Sequence, residues 1–327
     1  MKILFSNTLL FFIPIYTWGQ ISGCTDINAK NYNPKAEIND GSCKYKSVKI
    51  KPVFSQELDK SIHETSGLIH WNQKLWTIND DKDVHLYSFD SIGKNLQKQL
   101  LPKIKNKDWE EISQDSLYIY IGDFGNNVSG NRKDLQILKI EKNSILNNTP
   151  VIDTISFVFE DQNNFENKKA NTTNFDCESI IVTRDSLYLF TKEWKSKNTR
   201  LYVLPKLAGN HRAKYKATLN VKGLITGAVL LEDLKIVVLS GYSKKLKPFL
   251  YLLYDYKEND FFSGNKRKIK LGLPFHQIEG IATENGLQYY LTNEQFKLKP
   301  FISVSQKLHL VDLEKYLKKY VDKNRSE

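Results

Sequence analysis

The sequence predicts an all-β fold, a β-propeller with five blades expected and six as the alternative, between a small disulfide-closed N-terminal module and a short C-terminal helix. Three observations predict it. A unit of three to four short strands recurs along the chain. Each unit opens on a polar or acidic turn followed by an apolar run, as in Asp108-Trp109-Glu110-Glu111-Ile112. The composition of 17 Tyr, 17 Phe and 5 Trp favours strands, and the scarcity of Ala argues against a mostly helical chain.

The first unit runs Glu64-Thr-Ser66-Gly67-Leu-Ile-His-Trp71, Lys74-Leu-Trp-Thr-Ile-Asn79-Asp80, Val84–Phe89 and Leu96–Leu101. Four strands in about 40 residues is the size of one blade. The second follows Asp108–Ser113 with Leu117–Asp123 and Leu135–Ile140. The third sets Asp176-Cys-Glu178-Ser-Ile-Ile-Val before Leu187–Thr191, ending on Lys192-Glu193, and Arg200–Leu204. The fourth places Ile225-Thr226-Gly227 before Leu234–Gly241 and Phe249–Tyr254. The fifth places Gln277-Ile-Glu279-Gly280 before Leu287–Glu294 and Ile302-Ser-Val-Ser.

Aligned on Ser66, Glu110, Glu178, Thr226 and Glu279, the units start 44, 68, 48 and 53 residues apart. The long second interval is read as an outer strand, Ile155–Glu160, and an Asn/Lys-rich loop from Asp161 to Asn174. A strand near residues 49–54 is expected to close the ring by completing the last blade. Leu313, Leu317 and Tyr320 recur at helical spacing behind Asp312 and predict the terminal helix.

Residues 1–19 read as a secretory signal: Lys2, an apolar core over Leu9–Tyr16, and a small-residue exit at Thr17-Trp18-Gly19. The apolar run is roughly half what a bilayer crossing needs, so no transmembrane span is expected. The net charge is +11. It is densest at Lys244-Lys245-Leu-Lys247, Lys266-Arg267-Lys268 and the C-terminal residues, which suits a solvated surface or an anionic partner. No zinc-finger spacing or single-strand-binding motif supports nucleic acid, and a glycine-rich phosphate loop opening a helix is missing.

Residues 20–47 form a small module between Cys24 and Cys43, residues 48–312 the propeller, and residues 313–327 the helix and tail. An exported chain with two nearby cysteines permits a disulfide, leaving Cys177 as a buried thiol. Ile21-Ser22-Gly23-Cys24 also looks like a lipobox, in which case Cys24 would be acylated and the protein membrane-anchored. The module resembles the short GCxDxxAxNYNPxAxxxDGSC segments common in secreted proteins of the Bacteroidetes. Asp26, Asn28, Asn31, Asn33 and Asp40 are either calcium ligands or Asx-turn residues, the second being preferred.

A propeller gathers the leading ends of its inner strands at one mouth. Glu64, Asp108, Glu110, Asp176, Glu178 and Glu279 are therefore expected together as a candidate metal site, with Asp80, Asp123, Glu193 and Glu294 at a neighbouring rim. Gathered carboxylates persist only with a cation, a basic partner, backbone N–H groups or protons. Hard oxygen ligands in an exported protein make calcium the expected metal. Asn126, Asn127, Arg132, Lys192 and Glu193 form a candidate loop site.

The motifs Glu64-Thr-Ser-Gly67, Asp108–Ile112, Gly122-Asp123-Phe-Gly125-Asn126-Asn127 with Arg132, Asp176-Cys-Glu178 and Ile278-Glu279-Gly280 resemble a family of secreted bacterial propeller proteins of undefined function. They are more distantly similar to SdiA-regulated and esterase-like phytase-type propellers. The resemblance implies a propeller with calcium. Thr226 in the fourth unit departs from a full acidic ring.

Two functions follow as expectations. The first is an exported scaffold, periplasmic, surface-bound or extracellular, monomeric, and binding a glycan, peptide or anionic ligand. The second is a calcium-dependent ester, lactone or phosphoester hydrolase. Its candidate groups are Glu110, Asp123, Glu178, His63, His276 and Arg132.

Overall fold

The computed structural model describes residues 20–80 and 82–325; the expected signal segment lies outside the described residues. Alternating apolar residues with few Ala produce strands almost throughout, and these assemble as successive four-stranded antiparallel meanders. The first sheet runs Thr65–Trp71, Lys74–Asn79, His85–Phe89 and Gln97–Leu100. The second runs Trp109–Gln114, Tyr118–Asp123, Leu135–Glu141 and Ile152–Phe159. The third runs Cys177–Val182, Ser186–Thr191, Thr199–Pro205 and Gly209–Leu219. Its last strand pairs in parallel with Ile152–Phe159, so the second and third sheets form one eight-stranded sheet.

The fourth sheet is Leu224–Leu231, Ile236–Tyr242, Pro248–Tyr254 and Asn265–Leu271. The fifth takes Ile278–Thr283, Gln288–Asn293 and Lys307–Asp312, and is completed by the N-terminal strand Phe54–Glu57.

Alternation decides which core each side chain enters, because successive strand residues face opposite sides. In the second sheet, Ile119 and Ile121 join Ile69, Ile78 and Leu86 of the first sheet. Tyr120, between them, joins Ile180, Leu189 and Tyr202 of the third. Further cores lie between the third and fourth sheets, the fourth and fifth and the fifth and first. Each sheet buries both faces against its neighbours and the last packs on the first, a β-propeller-like ring. The terminal helix Glu314–Arg325 starts beyond Asp312, whose side chain accepts the Glu314 N–H at 2.7 Å, and it sets Leu317 and Val321 into the core between the fourth and fifth sheets.

Three expectations need correction. The strand near residues 49–54 divides: Val48–Ile50 adds in parallel to the fourth sheet, and the following Phe54–Glu57 completes the fifth. Pro52 separates them, since it cannot donate to a ladder. The third strand of the last unit is Lys307–Asp312, because Ile302–Val304 instead forms a separate hairpin with Phe296–Leu298. The long interval does hold an outer strand, Ile152–Phe159, beginning earlier than expected.

Cys24 and Cys43 are disulfide-bonded, and Cys177 is a buried free thiol. The module's polar residues serve as turn acceptors. Asp26 receives the Asn28 N–H at 2.8 Å, Asn33 that of Lys35 at 3.0 Å, and Asp40 that of Ser42 at 2.9 Å. It docks on the fourth sheet through Asn39 and Thr25, which both donate to Asp255, and through Arg267, which lies between the rings of Tyr45 and Tyr316.

Candidate functional site

The aligned positions share a local distortion that the sequence does not display. In each inner strand the antiparallel register slips near its start. Glu110 lies between the paired residues Trp109 and Glu111, Glu178 between Cys177 and Ser179, Thr226 between Ile225 and Gly227, and Glu279 between Ile278 and Gly280. In the first strand the slip falls between Ser66 and Ile69. A β-bulge leaves one residue unpaired and re-aims its side chain. The bulges therefore take recurring acids out of the ladders, and Glu110, Glu178 and Glu279 are all buried.

The aligned positions divide into two kinds. Ser66 donates its hydroxyl to the Glu110 carbonyl at 2.7 Å, and Thr226 donates to the Ile278 carbonyl. Each fastens its inner strand to the next one around the ring. Glu110, Glu178 and Glu279 instead present buried carboxylates. Carboxylate oxygens of Glu110, Asp176 and Glu178 all lie within 4.8 Å of one another. This buried triad can hold a metal ion. Gly125 forms one wall: a Cβ there would stand 2.3 Å from Asp108 Oδ2 and 2.4 Å from Glu110 Oε1. A Cβ there would have to displace both carboxylates from these positions.

Lys192 reaches into the cluster from the end of the strand Ser186–Thr191, and its Nζ lies 2.8 Å from Glu178 Oε1. Burial alone would lower this ammonium, but Glu178, with Tyr242, Glu279 and Glu110 nearby, holds it well above its ordinary range. The acids shift the other way. Burial pushes Glu110 well up, reinforced by Glu178 and Asp108. Burial likewise raises Glu178 against the opposing pull of Lys192. Glu279 is pushed up to about 7 by burial, with Lys192 opposing, and Asp108 to about 6 by burial and Asp176. One ammonium does not neutralise this set, so it must hold protons or a cation.

A second group, Glu64, Asp80 and Glu294, brings carboxylate oxygens within 4.8 Å of one another on the first and fifth sheets. Glu294 is raised well above its usual value by burial, then by Glu279, Asp80 and Glu64, so the two groups share one field. Of the expected metal set, Glu64 thus falls in this second group. Asp108 lies beside Asp176, whose carboxylate accepts the Asn126 N–H at 2.6 Å and the Trp194 indole N–H at 2.7 Å.

The expected rim acids do not occupy one equivalent position in their sheets. The residues that follow the last paired position of each second strand are Asp80, Phe124, Lys192 and Glu294. Asp123 and Glu193 stand one place to either side, and a one-residue offset faces the opposite way. Asp123 is buried against Arg132 at 2.8 Å, and Glu193 pairs with Arg200 at 3.0 Å. Arg132 also donates to the Gly125 carbonyl at 2.8 Å, so it pins its own loop. Asn126 binds Phe175 and the Arg132 N–H, and the Asn127 carbonyl accepts the Asn171 N–H. The loop site is thereby fastened to the segment from 161 to 174. His63 lies against Glu64 at 3.6 Å, and His276 against the Pro274 carbonyl and the His309 ring.

Three buried polar positions with notable contacts escaped the sequence reading. Glu111 reaches across the ring: it accepts the Ile112 N–H and, from the fourth inner strand, the Ala228 N–H, both at 3.0 Å. Tyr242 abuts Lys192. His309 bridges Ser55 and Asn293 at 2.6 and 2.8 Å, and burial lowers it to about 3. The acidic doublet at Glu110-Glu111 was the visible signal for the first; nothing local marks the other two.

No family model matches the chain, and no curated protein matches it. Among solved structures, a chain of the "Crystal Structure of Mitotic Checkpoint Complex" is similar over 80% of this chain and 94% of that one, at 9% identity and a TM-score of 0.37. A likeness that low carries no argument. Among the described residues no helix is long and apolar enough to cross a membrane.

Proposed function

We propose that this protein is an exported, five-bladed β-propeller that acts as a binding scaffold and holds calcium in its carboxylate-lined mouth. One observation carries the reading: three bulged acids and Asp176 are buried around a single lysine, leaving unbalanced negative charge. Glu110, Asp176 and Glu178 would hold the ion and Asp108 would adjoin it. An oxygen-only donor set suits a hard cation, and calcium tolerates irregular geometry with water completing its shell. Bound there, it would offset repulsion between sheets that meet at the mouth.

The five-blade reading is supported by five cores that link neighbouring sheets in a cycle. Export is supported by the Cys24–Cys43 disulfide, which belongs to an oxidising compartment and uses the sulfur that acylation would need. The scaffold is favoured over the hydrolase because Arg132, Asp123 and His276, which a hydrolase would employ, are engaged structurally. Arg132 is bound to Asp123, and His276 to a backbone carbonyl.

The test is calcium titration of the metal-stripped mature chain by calorimetry. One strong site, lost in Glu110→Gln/Glu178→Gln, supports the reading. Absence of binding at millimolar calcium contradicts it.

A further inference from the structure

We propose that a lysine-lined groove on the outer edge of the fourth sheet binds an anionic polysaccharide. The groove has a volume of about 430 Å³ and is lined by Lys49, Lys222, Lys247, Lys268, Lys270 and Phe249, among others; no described residue of its lining is acidic. That size lies within the range of ligand clefts, about 300–1,000 Å³.

The lysines come from separate parts of the chain and are brought together by register. Lys270 pairs across the sheet with Phe249 on one side and Lys49 on the other. Lys268 stands two residues away on the same strand, about 7 Å along the same face. Lys222 enters from the loop before the fourth inner strand, and Lys247 from the loop before Pro248–Tyr254. Lys49, Lys222, Lys247 and Lys270 are exposed.

Lys268 forms the floor: its Nζ sits 3.5 Å from the centre of the Phe249 ring and donates to the Val221 carbonyl. Burial, Lys270 and Lys222 together push it down to about 8. The lining therefore already repels further positive charge and gains from an anion.

The spacing favours a ligand with charges distributed along it. A lone phosphate would engage one or two of these ammonium groups and leave the rest unpaired. Phe249 is buried beneath Lys268, so it gives no platform for bases, which successive exposed rings provide in single-strand binders. Lysine suits sulfate or carboxylate groups as a compact, hydrated point charge on a flexible stem.

This inference rests on the scaffold reading but not on the calcium site. The test measures binding of the mature chain to dextran sulfate, polygalacturonate, neutral dextran, single-stranded DNA and anionic phosphatidylglycerol vesicles at about 0.15 M salt, where long-range attraction is screened. Binding to either anionic polysaccharide, with none to dextran, is expected. Lys49→Gln/Lys247→Gln/Lys270→Gln should weaken it at least about tenfold. The control Lys315→Gln/Lys318→Gln/Lys319→Gln removes equal charge from the terminal helix and should change it less than about twofold. Calcium titration should be the same in both variants, which separates failure here from failure of the metal reading. Equal losses in the two variants, tighter binding to DNA or vesicles, or binding to neither polysaccharide would overturn the proposal.

Discussion

Among the described residues, Lys192 and Glu178 form the one buried ion pair within the acids gathered around them. Removing one partner of a buried ion pair strands the other and costs about 3–5 kcal/mol. Lys192→Met is therefore expected to lower unfolding free energy by that order in urea titrations, and Lys192→Met/Glu178→Gln to recover at least half. Glu279 adds a pH signature. Its folded value is raised to about 7, so the stability its proton supplies is full below about 4 and is lost as pH rises through 7. A shift of about 2.5 units corresponds to about 3 kcal/mol at most. His309 titrates in the opposite sense, because its lowered value makes protonation destabilising. The comparison that isolates the acid is Glu279→Gln without calcium. It should be more stable than the parent at pH 8, by a gap that closes as pH falls towards 4; a gap that widens on acidification would contradict the assignment.

At the scale of elements, the strands were legible because their apolar runs and aromatic content repeat. The bulges were not, because a register slip arises when an inner strand meets both its hairpin partner and the neighbouring sheet. The alignment found Glu110, Glu178 and Glu279 by their place before an apolar run, without showing why they face inward. It placed the second-strand ends at Asp123 and Thr191, as the structure does, but did not show that Asp123 and Glu193 would be held by Arg132 and Arg200. The Ile302–Val304 hairpin was taken for a third strand because its short β-branched run resembles one. Gly67 shows the geometry most sharply, with φ of +67° and a hypothetical Cβ only 2.4 Å from the Ile112 nitrogen. Strain of this kind costs about 1–3 kcal/mol before any clash. Gly67→Ala should lower stability by at least about 2 kcal/mol, measured by denaturant midpoint at unchanged m-value.

At the scale of the molecule, the ring depends on its ends meeting. Phe54–Glu57 pairs with Lys307–Asp312, so the first strand of the propeller-like body completes its last sheet. A chain beginning at Lys51 keeps that strand and should unfold in one cooperative transition. A chain beginning at Ser61 exposes the edge of Lys307–Asp312, an invitation to aggregation, and should lose the transition or precipitate. A similar unfolding curve for both would show that the fifth sheet does not rely on its N-terminal strand. Calcium among the bulged acids that different sheets bring together is the central proposal. Its most direct measurement is the thermal midpoint of the metal-stripped mature chain with and without 1 mM calcium (roughly a hundredfold excess over a 10 μM site, worth about 2.7 kcal/mol). A rise of several degrees that vanishes in Glu110→Gln/Glu178→Gln is expected. An unchanged midpoint, or an equal rise in the double variant, would contradict it.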